Sequence, residues 1–96
     1  MAAYLIAQIQ ITDRERYGHY EAGFMDIFAQ YNGKMLSVDE AAESKEGDWP
    51  YTRTVLIEFP SKDEANAWYE SDEYQALAKH RFASSDGNVV VIQGLG

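Results

Sequence analysis

The side chains best suited to hold or protonate a small molecule are arginines and tyrosines. Arg53 lies in the run Thr52–Phe59 and shares the parity of its apolar residue Ile57, so we expect it to point toward the interior. A guanidinium in that position needs a carboxylate partner or a carboxylate-bearing ligand. We give equal weight to a ligand-binding role and to a structural salt bridge with Glu21 or Glu70.

Other candidates lie in segments with helical periodicity. Arg81 is near the end of the last helical segment, where a cation interacts favourably with the helix dipole, and we favour that structural role on the residues alone. Tyr20, Tyr69 and Tyr74 offer phenol hydroxyls, but tyrosines at helical spacing are more often core residues whose hydroxyl reaches the rim. We assign Tyr69 to the core and leave Tyr20 and Tyr74 open.

The two histidines give no metal-ligand pattern. His19 falls on the side of its helix opposite the aromatic residues at helical spacing, which include Tyr20 and Phe24, and His80 is next to Arg81. The chain has no cysteine. We therefore expect neither a metal site nor a cofactor, and no catalytic triad order, phosphate-binding glycine loop or metalloprotease motif occurs.

Composition limits the classes of partner. The chain has 96 residues, the size of one domain spanning 1–96, with 8 basic and 16 acidic residues and a net charge of −8. Nucleic acids and anionic membrane surfaces are disfavoured because both require clustered Lys and Arg. No apolar stretch approaches the roughly 20 residues of a membrane span. A cysteine-free chain with no signal peptide fits the cytoplasm.

Strand and helix patterns alternate along the chain. Residues 3–11 predict a strand, 13–31 a helix capped by Thr12 and ended by Asn32-Gly33, and 34–38 a short strand. The acidic segment 39–51 has no apolar face, so we expect an exposed strand extension or loop rather than a short helix.

The second half repeats the alternation with clearer boundaries. Residues 52–59 predict a strand, Ser61 caps a helix, and Ser71 interrupts and restarts it. A turn at 86–88 and a buried strand at 89–92 complete the order. The resulting β-α-β-β-α-β order is typical of an α+β, ferredoxin-like domain with a four-stranded antiparallel sheet.

A set of residues spread over nearly the whole chain resembles the bacterial domain-of-unknown-function family 1330, of the dimeric α/β-barrel superfamily. The matching positions are Tyr20, Asn32-Gly33, Glu46-Gly47-Asp48-Trp49-Pro50, Arg53, Glu58-Phe59-Pro60-Ser61, Trp68-Tyr69, Ser71, Tyr74 and Arg81. Asp39-Glu40 departs from the small residues common there, which puts the shape of that hairpin in question. The family carries no assigned reaction.

The resemblance implies a homodimer with its two sheets packed face to face and a small cavity between each sheet and its helices. Relatives in the superfamily include cofactor-free monooxygenases, lactone isomerases and dehydratases, and fold alone does not choose among them. The resemblance keeps Tyr20, Tyr74 and Arg81 beside Arg53 as ligand-binding candidates. We interpret Trp49-Pro50 as a plug over the sheet edge or the dimer seam.

Two hypotheses follow. The first is a homodimer that binds a small organic ligand and, if catalytic, acts without a cofactor on a small polar or anionic molecule, with Arg53 holding the anion. The second is a non-enzymatic binding or interaction module in which the same residues stabilise the core. A sizeable cavity with Arg53 unpaired favours the first hypothesis, and a filled interior with Arg53 bridged to a carboxylate favours the second.

Overall fold

An antiparallel sheet covered on one side by helices positions the candidate residues. The computed structural model describes residues 1–95, so Gly96, the last residue of the predicted domain, lies outside it. The elements are β1 (Ala3–Ile11), α1 (Arg14–Phe28), β2 (Lys34–Asp39), β3 (Arg53–Phe59), α2 (Lys62–Tyr69), α3 (Asp72–Ser84) and β4 (Ser85–Gln93). The strand order is β2-β3-β1-β4 with every pair antiparallel, which confirms the predicted ferredoxin-like α+β fold.

Strand β1 is central, and its buried and partly exposed residues alternate along its whole length. Its odd-numbered residues, from Ala3 to Ile11, are buried under the helices, while the even-numbered ones lie on the opposite face. Ile57 and Phe59 of β3 are buried on the same side, as their parity predicts. The core between sheet and helices is therefore mostly aliphatic on the sheet, with Phe59 as an exception, and rich in aromatic residues on the helices, where Trp68 is almost fully buried.

Helix α1 differs from its predicted limits at both ends. The N-cap is Asp13, whose carboxylate accepts a hydrogen bond from the Arg16 amide at 3.2 Å. The prediction of Thr12 is wrong because the Thr12 and Asp13 amides both donate to the Ser84 carbonyl, which keeps this stretch extended for one more residue. The helix ends at Phe28 rather than at residue 31.

The predicted left-handed stop at Asn32-Gly33 is also wrong. Within residues 1–95 the one residue with positive φ is Gly47, at 74°. Gly33 is required by packing instead, since a Cβ there would lie 2.6 Å from the Phe28 ring and 2.8 Å from the Phe59 ring. This close approach is what lets the chain turn from α1 into β2 beneath the aromatic core.

The serine caps of the second half are confirmed. Ser61 Oγ accepts from the Glu64 amide at 3.2 Å, and Ser71 Oγ accepts from the Tyr74 amide at 3.2 Å. The interruption at Ser71 divides the predicted second helix into α2 and α3. None of the helices within residues 1–95 combines the length and apolarity that a bilayer span needs.

The last strand begins earlier than predicted, so the turn at residues 86–88 is wrong. Helix α3 is followed at once by β4, and at this junction the Ser84 and Ser85 hydroxyls donate to the His80 and Arg81 carbonyls, each at 2.6 Å. Gly87 lies inside the ladder opposite Ile9, where a Cβ would collide with the backbone of β1. The strand is also not buried on both faces, since Val90 is 50% exposed.

The acidic segment after β2 forms no helix, as predicted. Strand β2 runs one residue further than expected, to Asp39, and has a bulge between Met35 and Ser37. Residues 40–50 are exposed throughout, and β3 starts at Arg53.

Candidate functional site

A cavity of about 310 Å³ lies between the sheet and the helices. Ala7, Val55 and Ile57 form part of its floor, and Phe24 and Trp68 part of its helical wall. The apolar share of this lining follows from the strand alternation described above, because the odd-numbered positions of β1 and β3 all face the helices. The interior is therefore not filled, which is the outcome expected for a ligand-binding domain.

All of the candidate residues reach this one cavity. Tyr20 extends from α1, Arg53 from β3, and Tyr74 and Arg81 from α3. The spacing between Tyr74 and Arg81, seven residues on one helix, places both on the same side of α3. Residues far apart in the chain thus meet, although their role in ligand binding stays a prediction.

Arg53 is engaged by two carboxylates. Its Nη1 lies 3.1 Å from Glu21 and 3.0 Å from Glu40, and its side chain is 16% exposed. Glu21 was one of the two expected partners, whereas Glu70 forms no ion pair with Arg53 among the described residues. The structure therefore combines one feature of each hypothesis: the cavity expected for ligand binding is present, but Arg53 forms the salt bridge expected for a structural role.

Glu40 is the partner that the sequence reasoning missed. Arg14 donates to both of its carboxylate oxygens, at 2.6 and 3.1 Å, so Glu40 joins α1 to β3 at the end of β2. The hydrogen bonds from Arg14 lower the pKa of Glu40, with burial opposing and Arg53 adding to the effect. The signal was present, because Asp39-Glu40 is the point at which the chain departs from the pattern of the family it resembles.

Tyr20 and Tyr74 form a buried hydroxyl pair. Their oxygens are 2.7 Å apart, joining α1 to α3. Burial raises the pKa of Tyr20, and the adjacent Tyr74 hydroxyl adds to this. Burial likewise raises the pKa of Tyr74, although the charge of Arg81 opposes it. Both phenols are therefore neutral near pH 7 and can donate hydrogen bonds, but they are poor bases.

Arg81 is a buried cation with no carboxylate partner in residues 1–95. It is 6% exposed, and its guanidinium carbon lies 5.9 Å from the centre of the Tyr20 ring and 4.8 Å from that of Phe82. It does lie in the last turn of α3, as the helix-dipole interpretation expected. Burial to this degree is not explained by the dipole alone, because a solvated surface position would satisfy the same interaction.

The two histidines lie near each other in the fold. The rings of His19 and His80 are 5.7 Å apart between α1 and α3. His19 is exposed as expected. Nowhere in residues 1–95 do three or more His, Cys, Asp or Glu side chains come together as a metal-ligand group.

The two tryptophans have different surroundings. Trp68 lines the cavity, and its indole Nε1 is buried without a hydrogen-bond partner in the described chain. Trp49 lies away from the cavity and donates from Nε1 to Thr54 Oγ1 at 3.0 Å, on the sheet face opposite the helices. Its ring is 39% exposed, which fits a position at the edge of an interface better than a ligand platform inside the domain.

Solved structures with the same class of fold are similar over almost the whole chain. One is a protein of unknown function from Rhodopseudomonas palustris, 16% identical with a TM-score of 0.82, covering 99% of this chain and 83% of that chain. Another is a dimeric ferredoxin-like protein of unknown function from Jannaschia sp. CCS1, 12% identical with a TM-score of 0.73, covering 98% and 100%. A third is SnoaB, a cofactor-independent oxygenase from Streptomyces nogalater, 9% identical with a TM-score of 0.71, covering 99% and 94%.

These likenesses establish an α+β, ferredoxin-like protein. Residues 2–95 match the model of the family described as "Domain of unknown function (DUF1330)", and the chain belongs to that family, which confirms the resemblance seen in the sequence. No curated protein matches the chain. At the identities given above, the solved structures show the fold alone.

Proposed function

We propose that this protein is a homodimer that binds a small organic molecule in the cavity of each subunit. The observation that carries the proposal is a cavity with mostly apolar walls that also holds the buried Arg81, which has no carboxylate partner within residues 1–95. Protein interiors are close-packed, with few voids larger than a water molecule. A cavity of about 310 Å³ reaches the lower end of the roughly 300–1,000 Å³ typical of ligand pockets.

Unsatisfied polar groups separate this cavity from a packing defect. Empty cavities in proteins are usually apolar, whereas buried donors are nearly always hydrogen-bonded. Here the Trp68 indole N–H lacks a partner within residues 1–95, and the Arg81 guanidinium lacks a carboxylate there. A ligand with hydrogen-bond acceptors and an apolar body would satisfy both kinds of surface at once.

The proposal includes a catalytic form that needs no cofactor. In that form a neutral phenol, Tyr20 or Tyr74, donates a proton or hydrogen bond to a small polar or anionic substrate. SnoaB, which has the same fold, is a cofactor-independent oxygenase, and this supports the choice of class without transferring the reaction. The competing class is a non-enzymatic module, and the double ion pair of Arg53 favours it for that residue.

The dimer is proposed from the face of the sheet that the helices leave open. Its central positions are Tyr4, Ile6, Leu56, Val90 and Ile92. Val90 and Ile92 are 50% and 46% exposed, a contiguous apolar surface that a second copy would cover. The dimeric protein from Jannaschia supports this arrangement. We keep the cytoplasm as the proposed compartment on the cysteine-free composition.

The ligand test uses a tryptophan that lines the cavity. The chain has 2 Trp residues, so Trp49→Phe leaves Trp68 as the sole indole and as a reporter inside the cavity. We expect small aromatic molecules, acidic and neutral, to change Trp68 fluorescence saturably and to raise the melting temperature. Ala7→Leu, which fills the cavity, should abolish both effects, whereas the exposed Ala22→Leu should leave them intact.

A ligand role for the cavity is rejected if no compound changes the fluorescence and Ala7→Leu simply stabilises the protein. That combination would describe an imperfectly packed core. The dimer is tested separately by sedimentation of the parent, of Val90→Lys and of the exposed control Ala22→Lys. We expect Val90→Lys to be monomeric and the other two dimeric at micromolar concentration, and a parent monomer of 10.9 kDa would refute the dimer.

A further inference from the structure

Arg81 stands where two cavities of different character meet. On one side is the cavity described above, which opens to solvent beside the exposed residues Glu21, Met25 and Val38. On the other is a more open and more polar depression of about 370 Å³. The lining residues of this depression are Tyr69, Arg81, Phe82, Ser85, Asp86, Gly87 and Val89. A ligand in the first cavity whose charged group reaches Arg81 would therefore have its charge beside the polar depression and its apolar body between the sheet and the helices.

The two arginines that line the first cavity differ in whether a carboxylate already balances their charge. Arg53 already contacts Glu21 and Glu40, so an incoming anion would meet two carboxylates beside one guanidinium. Arg81 forms no ion pair within residues 1–95, and Asp86, the carboxylate of the outer depression, stays beyond 4.0 Å. A buried cation without a counter-charge is unfavourable, so Arg81 is the position where an anion gains most.

The hydroxyl pair adds a second donor at the same place. When one of Tyr20 and Tyr74 donates to the other at 2.7 Å, the acceptor hydroxyl keeps its own hydrogen. No second acceptor for this pair lies within residues 1–95, so that hydrogen can be donated to a ligand atom. The guanidinium carbon of Arg81 lies 5.9 Å from the centre of the Tyr20 ring. One planar oxyanion, such as a carboxylate or an enolate, can accept from the guanidinium and from this hydroxyl together.

We infer that the ligand is a small apolar monoanion, bound with its anionic group at Arg81 and its apolar body against Phe24 and Trp68. This inference rests on the proposed function and narrows it, since it moves the anion from Arg53, where the sequence placed it, to Arg81. It also disfavours di-anions and polyanions, because the rest of the cavity has mostly apolar walls and the charge of Arg53 is already countered by Glu21 and Glu40. The buried Arg53 Nε, which has no hydrogen-bond partner within residues 1–95, remains available to a neutral acceptor.

The test compares two probes of matched shape, 2-naphthoate and 2-naphthamide, by calorimetry with the full-length chain. We expect the parent to bind the carboxylate roughly 10- to 150-fold more tightly than the amide, the range for a charge-assisted hydrogen bond. Arg81→Met should remove this preference. Arg53→Met should keep it, and so should Arg16→Met, which removes the same charge from an exposed site. The preference should change little with salt, because the pair is buried.

The outcomes separate the inference from the proposed function. Equal binding of both probes by the parent overturns the inference and leaves the cavity as a binding site. Loss of the preference in Arg53→Met also overturns it, because the anion would then lie at Arg53. If neither probe binds, the inference fails, and the fluorescence test with Ala7→Leu decides separately whether the cavity binds any small molecule. Should Arg81→Met not fold, Arg81→Lys decides: it retains the charge and must retain a preference for the carboxylate.

Discussion

The hydrogen bond between the Tyr20 and Tyr74 hydroxyls allows a quantitative test of how far water reaches this part of the cavity wall. The bond joins two helices through residues 54 positions apart, with an oxygen separation of 2.7 Å. Both residues are buried, at 7% and 3% exposure. The perturbation is a double-mutant cycle of Tyr20→Phe, Tyr74→Phe and the double variant, each of which removes an oxygen and leaves the ring.

The expected magnitude follows from what each variant leaves behind. A single replacement strands the surviving hydroxyl, and a buried unsatisfied polar group costs about 1–3 kcal/mol. The double variant strands nothing, and replacing both partners with apolar groups is nearly neutral. Because the cavity adjoins both hydroxyls, water can reach the survivor, which places each single variant at about 1 kcal/mol. With a nearly neutral double variant, the coupling free energy is then about 2 kcal/mol.

The assay is urea unfolding of the four proteins under identical conditions. Tyr51→Phe serves as the control, since its hydroxyl accepts from Asn88 at an exposed site and its loss should change stability by less than about 0.5 kcal/mol. Additive effects of the two cavity replacements would refute the reasoning. Additivity would mean that each hydroxyl is hydrated independently and that the bond between α1 and α3 contributes no coupling.

Three further outcomes are expected. Gly87→Ala should destabilise the protein by roughly 2 kcal/mol in urea unfolding, because the added Cβ meets the backbone of β1. Gly18→Ala has open space around it and should stabilise helix α1 by about 0.5–1 kcal/mol. The reverse order of the two stabilities would contradict the packing. Arg53→Met should lower the melting temperature more than the exposed Arg16→Met. Its loss of unfolding free energy should stay well below the roughly 3–5 kcal/mol of stranding a fully buried charge, since its carboxylate partners are half-exposed. A full loss of folding would contradict this expectation. Above about pH 10 the free energy of unfolding should fall by roughly 1.4 kcal/mol per pH unit for each buried phenol. The reason is that burial raises the pKa of Tyr20 in the folded state, so the unfolded state loses its phenol proton first. A melting temperature unchanged between pH 9 and 11 would contradict this expectation.

The fold was predictable because its signals are local. The alternation of β1, the parity of β3 and the serine caps at Ser61 and Ser71 each depend on a few neighbouring residues, and each is confirmed. The failures are positions where a distant contact overrides a local preference. Residues 86–88 have turn composition, yet Gly87 is required by the approach of another strand rather than by a turn.

The candidate site was only partly predictable for the same reason. Side-chain type and parity identified residues that do line one cavity. The neutralisation of Arg53 depends on Glu40, which comes from an acidic segment with no periodicity to place it. The volume of the cavity and the isolation of Arg81 from carboxylates depend on how helices and sheet meet, and no spacing within the sequence encodes that distance.

The position of β1 in the sheet has a consequence for how the chain reaches its fold. The first strand of this domain is central and pairs with β3 and β4, whose residues lie some 45 to 90 positions later. Its two backbone edges therefore have no partner strands until those segments have left the ribosome. Pairings so distant in sequence close slowly, since loop-closure entropy precedes any gain from contacts. Folding on the ribosome is thus delayed until β4 emerges, and the nascent chain exposes Leu5 and Ile9 in the meantime to chaperones or to aggregation.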